Sequence, residues 1–200
     1  MIDNLKELRK LLVVVDMVNG FVNEGPMSDR HIRHIINPQL ELIETIRREG
    51  QKIAFIKDNH EKGCREFERY PEHCVIKTHE AEIVDEFKPY LDGSLIYPKN
   101  STSTVFAPHF LSDLEQMKNL REVIISGCCT DICIANLAIP LQNYFDQSDN
   151  RVDIIIPVDS VETYNSPDHN RDEYNQMAYK FFEQSGTQLV KRYGGNKYGK

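Results

Sequence analysis

Runs of consecutive apolar residues alternate along the chain with amphipathic stretches of helical period. Residues 11–15 (LLVVV), 52–57 (KIAFIK), 94–98, 123–126, 152–158 (VDIIIPV) and 188–190 read as six strands, short and mostly rich in β-branched residues. Between the first two, Ile32, Ile35, Ile36, Leu40, Ile43 and Ile46 form the stripe of a helix over 29–49, which Gly50 stops. Further helices are expected over 80–87, 108–118, 131–146 and 167–184, and Pro140 predicts a kink or break in the 131–146 helix. Residues 58–79 make a polar loop longer than a mere connector. Strands without polar alternation are buried on both faces. The pattern therefore gives an α/β three-layer sandwich with a mainly parallel six-stranded, Rossmann-like sheet, in a single domain over 1–200.

Composition narrows the function classes. A net charge of -7, with no basic run, argues against a nucleic-acid surface. No apolar stretch approaches a membrane span. The opening MIDNLKELRK lacks the apolar core of a signal peptide, which points to the cytoplasm. In that reducing compartment the five cysteines are expected as free thiols. The basic, Gly-rich end KRYGGNKYGK reads as a mobile tail.

Ligands of an open parallel sheet bind beyond the carboxyl ends of its strands. Asp16 follows the first strand, Asp58 the second, Lys99 the third, the turn SGCCTDIC (126–133) the fourth and Asp159-Ser160 the fifth. Two carboxylates, an ammonium and three thiols thus share one edge. With Thr130 as N-cap, Cys133 falls at the third helical position, where the positive helix end favours a thiolate; Lys99 adds to this and Asp16 can take the proton. Amides of the 127–129 turn can bind an oxyanion. Cys128 and Cys129 read as small buried hydrophobes. Asp131 reads as support for its own helix terminus, and His79, His109 and His169 as surface residues.

The loop DNHEKGCREFERYPEHC (58–74) gathers Asp58, His60, Glu66, Glu68, Glu72 and His73. Two histidines plus carboxylates suit Zn²⁺, Mn²⁺ or Fe²⁺ with positions left for water or substrate, although a solvated polar loop often has this composition. Cys64 and Cys74 open a second reading, a Cys/His structural zinc site, at a spacing that matches no usual zinc finger.

Four segments in order across almost the whole chain resemble the isochorismatase-like cysteine hydrolases, and within them the nicotinamidase/pyrazinamidase branch: VVVDMVNGF, KDNH with YPEHC, YPKNSTSTVF, and SGCCTDIC. The resemblance implies a triad of Asp16, Lys99 and Cys133, a cis peptide between Cys128 and Cys129, and an oxyanion hole from the amides of Cys129 and Cys133. It implies a divalent metal, zinc first, on Asp58, His60 and His73, with Glu66 as a further ligand and Glu68 as the fallback. It also implies that Phe21 and Tyr70 sandwich a substrate ring, and that the protein is a homo-oligomer acting on a small amide. Val18 and Gly20 depart from the family, which often carries Gln or Thr and then Asp at these positions.

The expected activity is hydrolysis of nicotinamide to nicotinate and ammonia through a thioester. The alternatives are another small amide, a carbamate or an enol ether, and a non-catalytic binder of the same fold. Two other uses of such a sheet fail on particular residues. A haloacid-dehalogenase plan wants a second Asp where Val18 stands, and dinucleotide binding wants a G-x-G-x-x-G after the first strand.

Overall fold

The computed structural model describes residues 5–199. Residues 1–4 of the opening segment and Lys200 of the tail lie outside the described residues. Seven strands form one sheet: β1 (Lys10–Val15), β2 (Lys52–Asp58), β3 (Leu95–Lys99), β4 (Glu122–Cys128), β5 (Asp153–Pro157), β6 (Val161–Glu162) and β7 (Gln188–Val190). Their order is β3-β2-β1-β4-β5-β7, with β6 also paired to β4, and every pairing is parallel. The strand beyond the expected six is β6, a two-residue element too short to leave a periodic signal.

Both faces of the sheet are covered, which is why β1 is apolar without alternation. Leu11, Val13 and Val15 enter one core with α3 (Phe110–Gln116), α4 (Ala135–Gln147) and α5 (Arg171–Ser185). Leu12 and Val14 enter the other, with α2 (Ile36–Arg48) and the segment around Val84 and Phe87. A short helix, α1 (Asn19–Val22), follows β1 after the bend at Asp16.

Several expected elements take a different form. The 29–49 helix begins as a 3₁₀ segment, Arg30–Ile35, started by Asp29, whose side chain accepts from the His31 N–H. Residues 80–87 make two 3₁₀ turns, His79–Ala81 and Asp85–Tyr90, because the residues between them run extended and pair with the chain after β1: Asn19 N–H donates to the Glu82 carbonyl (2.9 Å) and Val84 N–H to the Met17 carbonyl (3.0 Å). Pro140 does not break α4. The Asn136 carbonyl, which Pro140 cannot serve, accepts instead from Ser103 Oγ at 2.8 Å. The tail also folds back rather than moving freely. Tyr198 N–H donates to the Leu189 carbonyl (3.0 Å), the Tyr193 hydroxyl donates to Glu122 Oε2 (2.7 Å), and the Tyr198 ring meets Tyr179 edge-on. Its two tyrosines supply apolar surface that its basic, Gly-rich composition hides.

The strand order reverses between β1 and β4, so a crevice opens there at the carboxyl ends. Val15 is paired with both Ile56 and Gly127 across that opening. Gly127 has φ +121°, and a Cβ on it would lie 2.0 Å from the Val15 carbonyl oxygen. Only glycine lets β4 run this close to β1.

Ser103→Ala should destabilise the fold by about 0.5–1.5 kcal/mol, since it removes the donor to the Asn136 carbonyl. Urea unfolding would measure this, and an unchanged midpoint would show that Pro140 is accommodated some other way.

Candidate active site

The chain leaves β1 through Asp16, whose φ of +52° is a left-handed conformation that Asp tolerates better than most residues. The bend is held from two sides. Asp16 N–H donates to the Ile56 carbonyl at 3.0 Å, and the Cys128 thiol donates to the Asp16 carbonyl at 3.2 Å. Asp58 and Lys99 are cross-strand partners at the ends of β2 and β3. The Lys99 side chain, 2 % exposed, therefore points into the crevice between two carboxylates. Its Nζ lies 2.8 Å from Asp16 Oδ2, in contact with Asp58 Oδ1, and 3.8 Å from Cys133 Sγ.

The peptide between Cys128 and Cys129 is cis. Cys129, not Thr130, stands at the helix entry, and the first turn, Thr130–Ile134, is a π-turn. In it the Cys129 carbonyl accepts from the N–H groups of Ile132 (3.2 Å) and Ile134 (3.1 Å), to either side of Cys133. Burial pushes the Cys133 thiol well above its ordinary value, and Lys99 only partly offsets this. Burial thus favours the neutral thiol over the thiolate that the helix end suggests, because desolvation of a sulfur anion opposes what a helix terminus returns. Burial likewise pushes Asp16 up to about 6, against the pull of Lys99. Burial also weighs on Asp58, but there Lys99, together with the His60 and His73 imidazoles, outweighs it and holds the carboxyl well below the usual range. Lys99, despite complete burial, is held charged by Asp16 and Asp58.

Asp58 faces a second group with its other oxygen. His60 Nε2 lies 3.3 Å and His73 Nε2 3.5 Å from Asp58 Oδ2, and Glu66 Oε1 lies 3.9 Å from His60 Nε2. All four residues are buried, while Glu68 is exposed. The long loop that carries them is folded back on itself: His60 N–H donates to the Cys74 carbonyl (3.0 Å) and Ile76 N–H to the His60 carbonyl (2.9 Å). His73 Nδ1 lies 2.7 Å from the Pro71 carbonyl and His60 Nδ1 3.0 Å from Asn100 Oδ1. These oxygens only accept, so each Nδ1 carries a proton, and Nε2, which faces Asp58, is the nitrogen left to bind a metal. The buried His60 Nε2 has no hydrogen-bond partner. Together, Asp16, Asp58 and Glu66 bring three buried carboxylates against the one ammonium of Lys99. A divalent cation fits on both counts: it fills the orphaned lone pair and brings the buried charge to zero. The two cysteines of the loop lie outside this set: Cys64 Sγ is 3.6 Å from His60 Nδ1, the ring nitrogen that faces away from Asp58. Cys74 Sγ turns away to the Glu80 carbonyl (3.7 Å) and fills the space beside Gly20, where an added Cβ would sit 2.5 Å from the sulfur.

Thiol and donor set open into one small pocket, lined by Phe21, Tyr70, Cys129, Cys133 and also by Met27 and Tyr164. A model of the isochorismatase domain matches residues 10–189. The chain belongs to the isochorismatase family. Among known relatives of this family member, Nicotinamidase 1 of Arabidopsis thaliana is 27 % identical over 176 residues, 76 % of this chain and 66 % of that protein. N-carbamoylsarcosine amidase of Thermoplasma acidophilum superposes with a TM-score of 0.74 at 22 % identity, covering 91 % of this chain and 95 % of that one. Pyrazinamidase of Pyrococcus horikoshii, solved in complex with zinc, superposes with a TM-score of 0.72 at 22 % identity, covering 91 % and 98 %. No helix among the described residues of this isochorismatase-family chain is long and apolar enough to cross a membrane.

Two sequence readings fail around the pocket. His169 is buried, not a surface residue; its ring is stacked between Tyr164 and Tyr174, at centroid distances of 3.9 and 3.7 Å. Asp131 does more than support its helix: it accepts from His169 Nε2 (2.9 Å) and Thr163 Oγ1 (2.5 Å), tying the Cys133 turn to the segment that carries Tyr164. Residues 32 to 38 positions apart left no spacing signal for this, and Met27 and Tyr164 were equally silent. The other two histidines, His79 and His109, are not buried.

Asn100→Ala should weaken divalent-metal uptake about 10- to 100-fold, because it frees the His60 ring that Asn100 orients. Equilibrium dialysis against zinc with elemental analysis would read the loss, and unaltered affinity would remove Asn100 from that role.

Proposed function

We propose that the protein is a cysteine-nucleophile amidohydrolase whose substrate is nicotinamide. The observation that carries this reading is the sharing of Asp58 between the Lys99–Asp16–Cys133 cluster and a buried Asp/His/His/Glu donor set, both opening into one pocket with aromatic walls. The family and the amidase relatives support a hydrolase of non-peptide C–N bonds.

In the resting site the proton is on Cys133 and the negative charge on Asp16. With the carboxamide beside the sulfur, Asp16 takes the thiol proton as sulfur attacks the carbonyl carbon, and Lys99 offsets the charge that moves. The oxyanion lies against the N–H groups of Cys129 and Cys133, one at the cis peptide and the other inside the π-turn. Asp16 returns the proton to the departing nitrogen, releasing ammonia and leaving a thioester on Cys133. Water, deprotonated by Asp16, then hydrolyses the thioester to the carboxylic acid and restores the thiol. A divalent cation on Asp58, His60, Glu66 and His73 would supply a Lewis-acid anchor for the ring nitrogen. Phe21 and Tyr70 hold the ring from its faces.

Ammonia release across a panel of nicotinamide, pyrazinamide, an N-carbamoyl amino acid and an aliphatic amide tests the assignment. Nicotinamide should be turned over fastest, and a clear preference for the carbamoyl compound would reassign the substrate. Cys133→Ala should lose at least ~10³-fold in kcat while Cys128→Ser, which keeps a donor for the Asp16 carbonyl, retains most of it, because only the first sulfur adjoins Lys99. Equal losses would refute the choice of nucleophile.

The pH profile follows from Asp16. It must be ionised to accept the thiol proton, so kcat/KM should fall about tenfold per pH unit below its value of about 6 and level off above it. A profile flat down to pH 5 would exclude Asp16 as the base.

A further inference from the structure

A second set of ligating atoms lies on the outside of the pocket wall, apart from the donor set of the active site. His31 and His34 stand three residues apart on the 3₁₀ segment Arg30–Ile35, so their side chains eclipse, with ring centroids 4.6 Å apart. Both are about half exposed. Beneath them is Glu162 of β6, whose side chain is 92 % buried. Glu162 Oε1 is satisfied from below, by the Thr163 N–H at 2.8 Å and Asn175 Nδ2 at 2.6 Å, with Arg171 Nε at 3.9 Å. Its other oxygen, Oε2, is aimed at the two imidazoles: His31 Nε2 and His34 Nε2 each lie 3.5 Å from it.

His34 Nδ1 lies 2.7 Å from the His31 carbonyl, which only accepts, so this nitrogen carries a proton and Nε2 is the free ligating atom. Anchoring the far nitrogen to a backbone carbonyl is the usual device for orienting a metal-binding histidine. The three atoms His31 Nε2, His34 Nε2 and Glu162 Oε2 lie within 4.8 Å of one another. Ligands held at about 2.0–2.1 Å from a tetrahedral ion stand about 3.3–3.4 Å apart. The two measured edges of 3.5 Å thus need almost no movement to close on an ion.

We propose that His31, His34 and Glu162 form a second metal site, for an imidazole-preferring divalent transition ion such as Zn²⁺. Two nitrogens and one oxygen disfavour Mg²⁺ and Ca²⁺, which take oxygen ligands. The exposed side, where the rings face solvent, leaves a fourth position to water. The site joins two segments that also supply the pocket: Met27 precedes the histidines, and Tyr164 follows Glu162 by two residues. Asp29 already bridges these segments through Arg171 and the Asn165 N–H (3.0 Å), and the ion would clamp the same joint from outside.

Zinc uptake by the full-length protein, measured by equilibrium dialysis with elemental analysis, tests the site without reference to activity. The wild type should bind two equivalents per chain, and His34→Gln and Glu162→Gln should each lose one. His73→Ala should lose the other, so failure of the active-site ion and failure of this one are told apart. Excess Mg²⁺ should not displace the zinc lost with His34. A thermal melt without zinc should be the same for His34→Gln as for the wild type, and only the wild type should gain Tm from the second equivalent. If His34→Gln and Glu162→Gln take up as much zinc as the wild type, the site does not exist and the histidines serve only as partners for the buried carboxylate.

Discussion

A single ammonium buried between two carboxylates constrains everything around it. Lys99 is buried away from solvent, so its charge persists chiefly through Asp16 and Asp58, at the ends of two adjacent strands. Breaking a buried pair of this kind typically costs about 3–5 kcal/mol, because it strands the remaining charge. The parallel register Asp58↔Lys99 and the left-handed bend at Asp16 bring three groups from distant segments to one point. Gly127 and Cys128 then hold the fourth segment against that bend, one by lacking a side chain and the other by donating its thiol to the Asp16 carbonyl.

The same lysine links two sites that sequence presents as separate. Asp58 offers one oxygen to Lys99 and the other to the face of His60 and His73, so any charge placed among the histidines is felt at Asp16 through one side chain. This explains why Asp16 and Asp58, both fully buried aspartates, move in opposite directions. Burial raises both, but Asp58 has the closer contact with Lys99 and the His60 and His73 imidazoles beside it, while Asp16 meets burial and the repulsion of Asp58 with Lys99 as its main offset. Two carboxylates with values pushed apart are a common arrangement for one proton acceptor beside one permanent anion.

What sequence showed of this followed the strength of each local signal. Long apolar strands declared a parallel sheet, and the sheet then declared which edge carries Asp16, Asp58, Lys99 and Cys133. The two-residue β6 and the four-residue α1 had too few positions for any period to register. Of the kink or break that Pro140 predicts, the break does not occur: helix-breaking is a local rule, whereas the Ser103 hydroxyl that serves the freed carbonyl comes from a loop 37 residues earlier. His169 and Asp131 misled for a similar reason: each is ordinary in its own segment, and only tertiary packing sandwiches the histidine between Tyr164 and Tyr174. The tail failed on composition, since a basic Gly-rich stretch conceals tyrosines that reach Glu122 and Tyr179.

The neutral resting thiol gives the site a particular character under the proposed mechanism. A permanent thiolate would react with oxidants and electrophiles whether or not substrate were present. Here the thiol is buried and pushed up, and its acceptor Asp16 sits near 6, so moving the proton in the empty pocket is uphill. Substrate changes that balance, since charge reaching the carbonyl oxygen meets the amides of the π-turn and the cis peptide, which water cannot reorganise. The cost of forming the thiolate is then met at the moment its charge is passed on. Burial therefore works as a filter: it suppresses the sulfur's reactivity in general and restores it for a carbonyl that fits against Cys129 and Cys133.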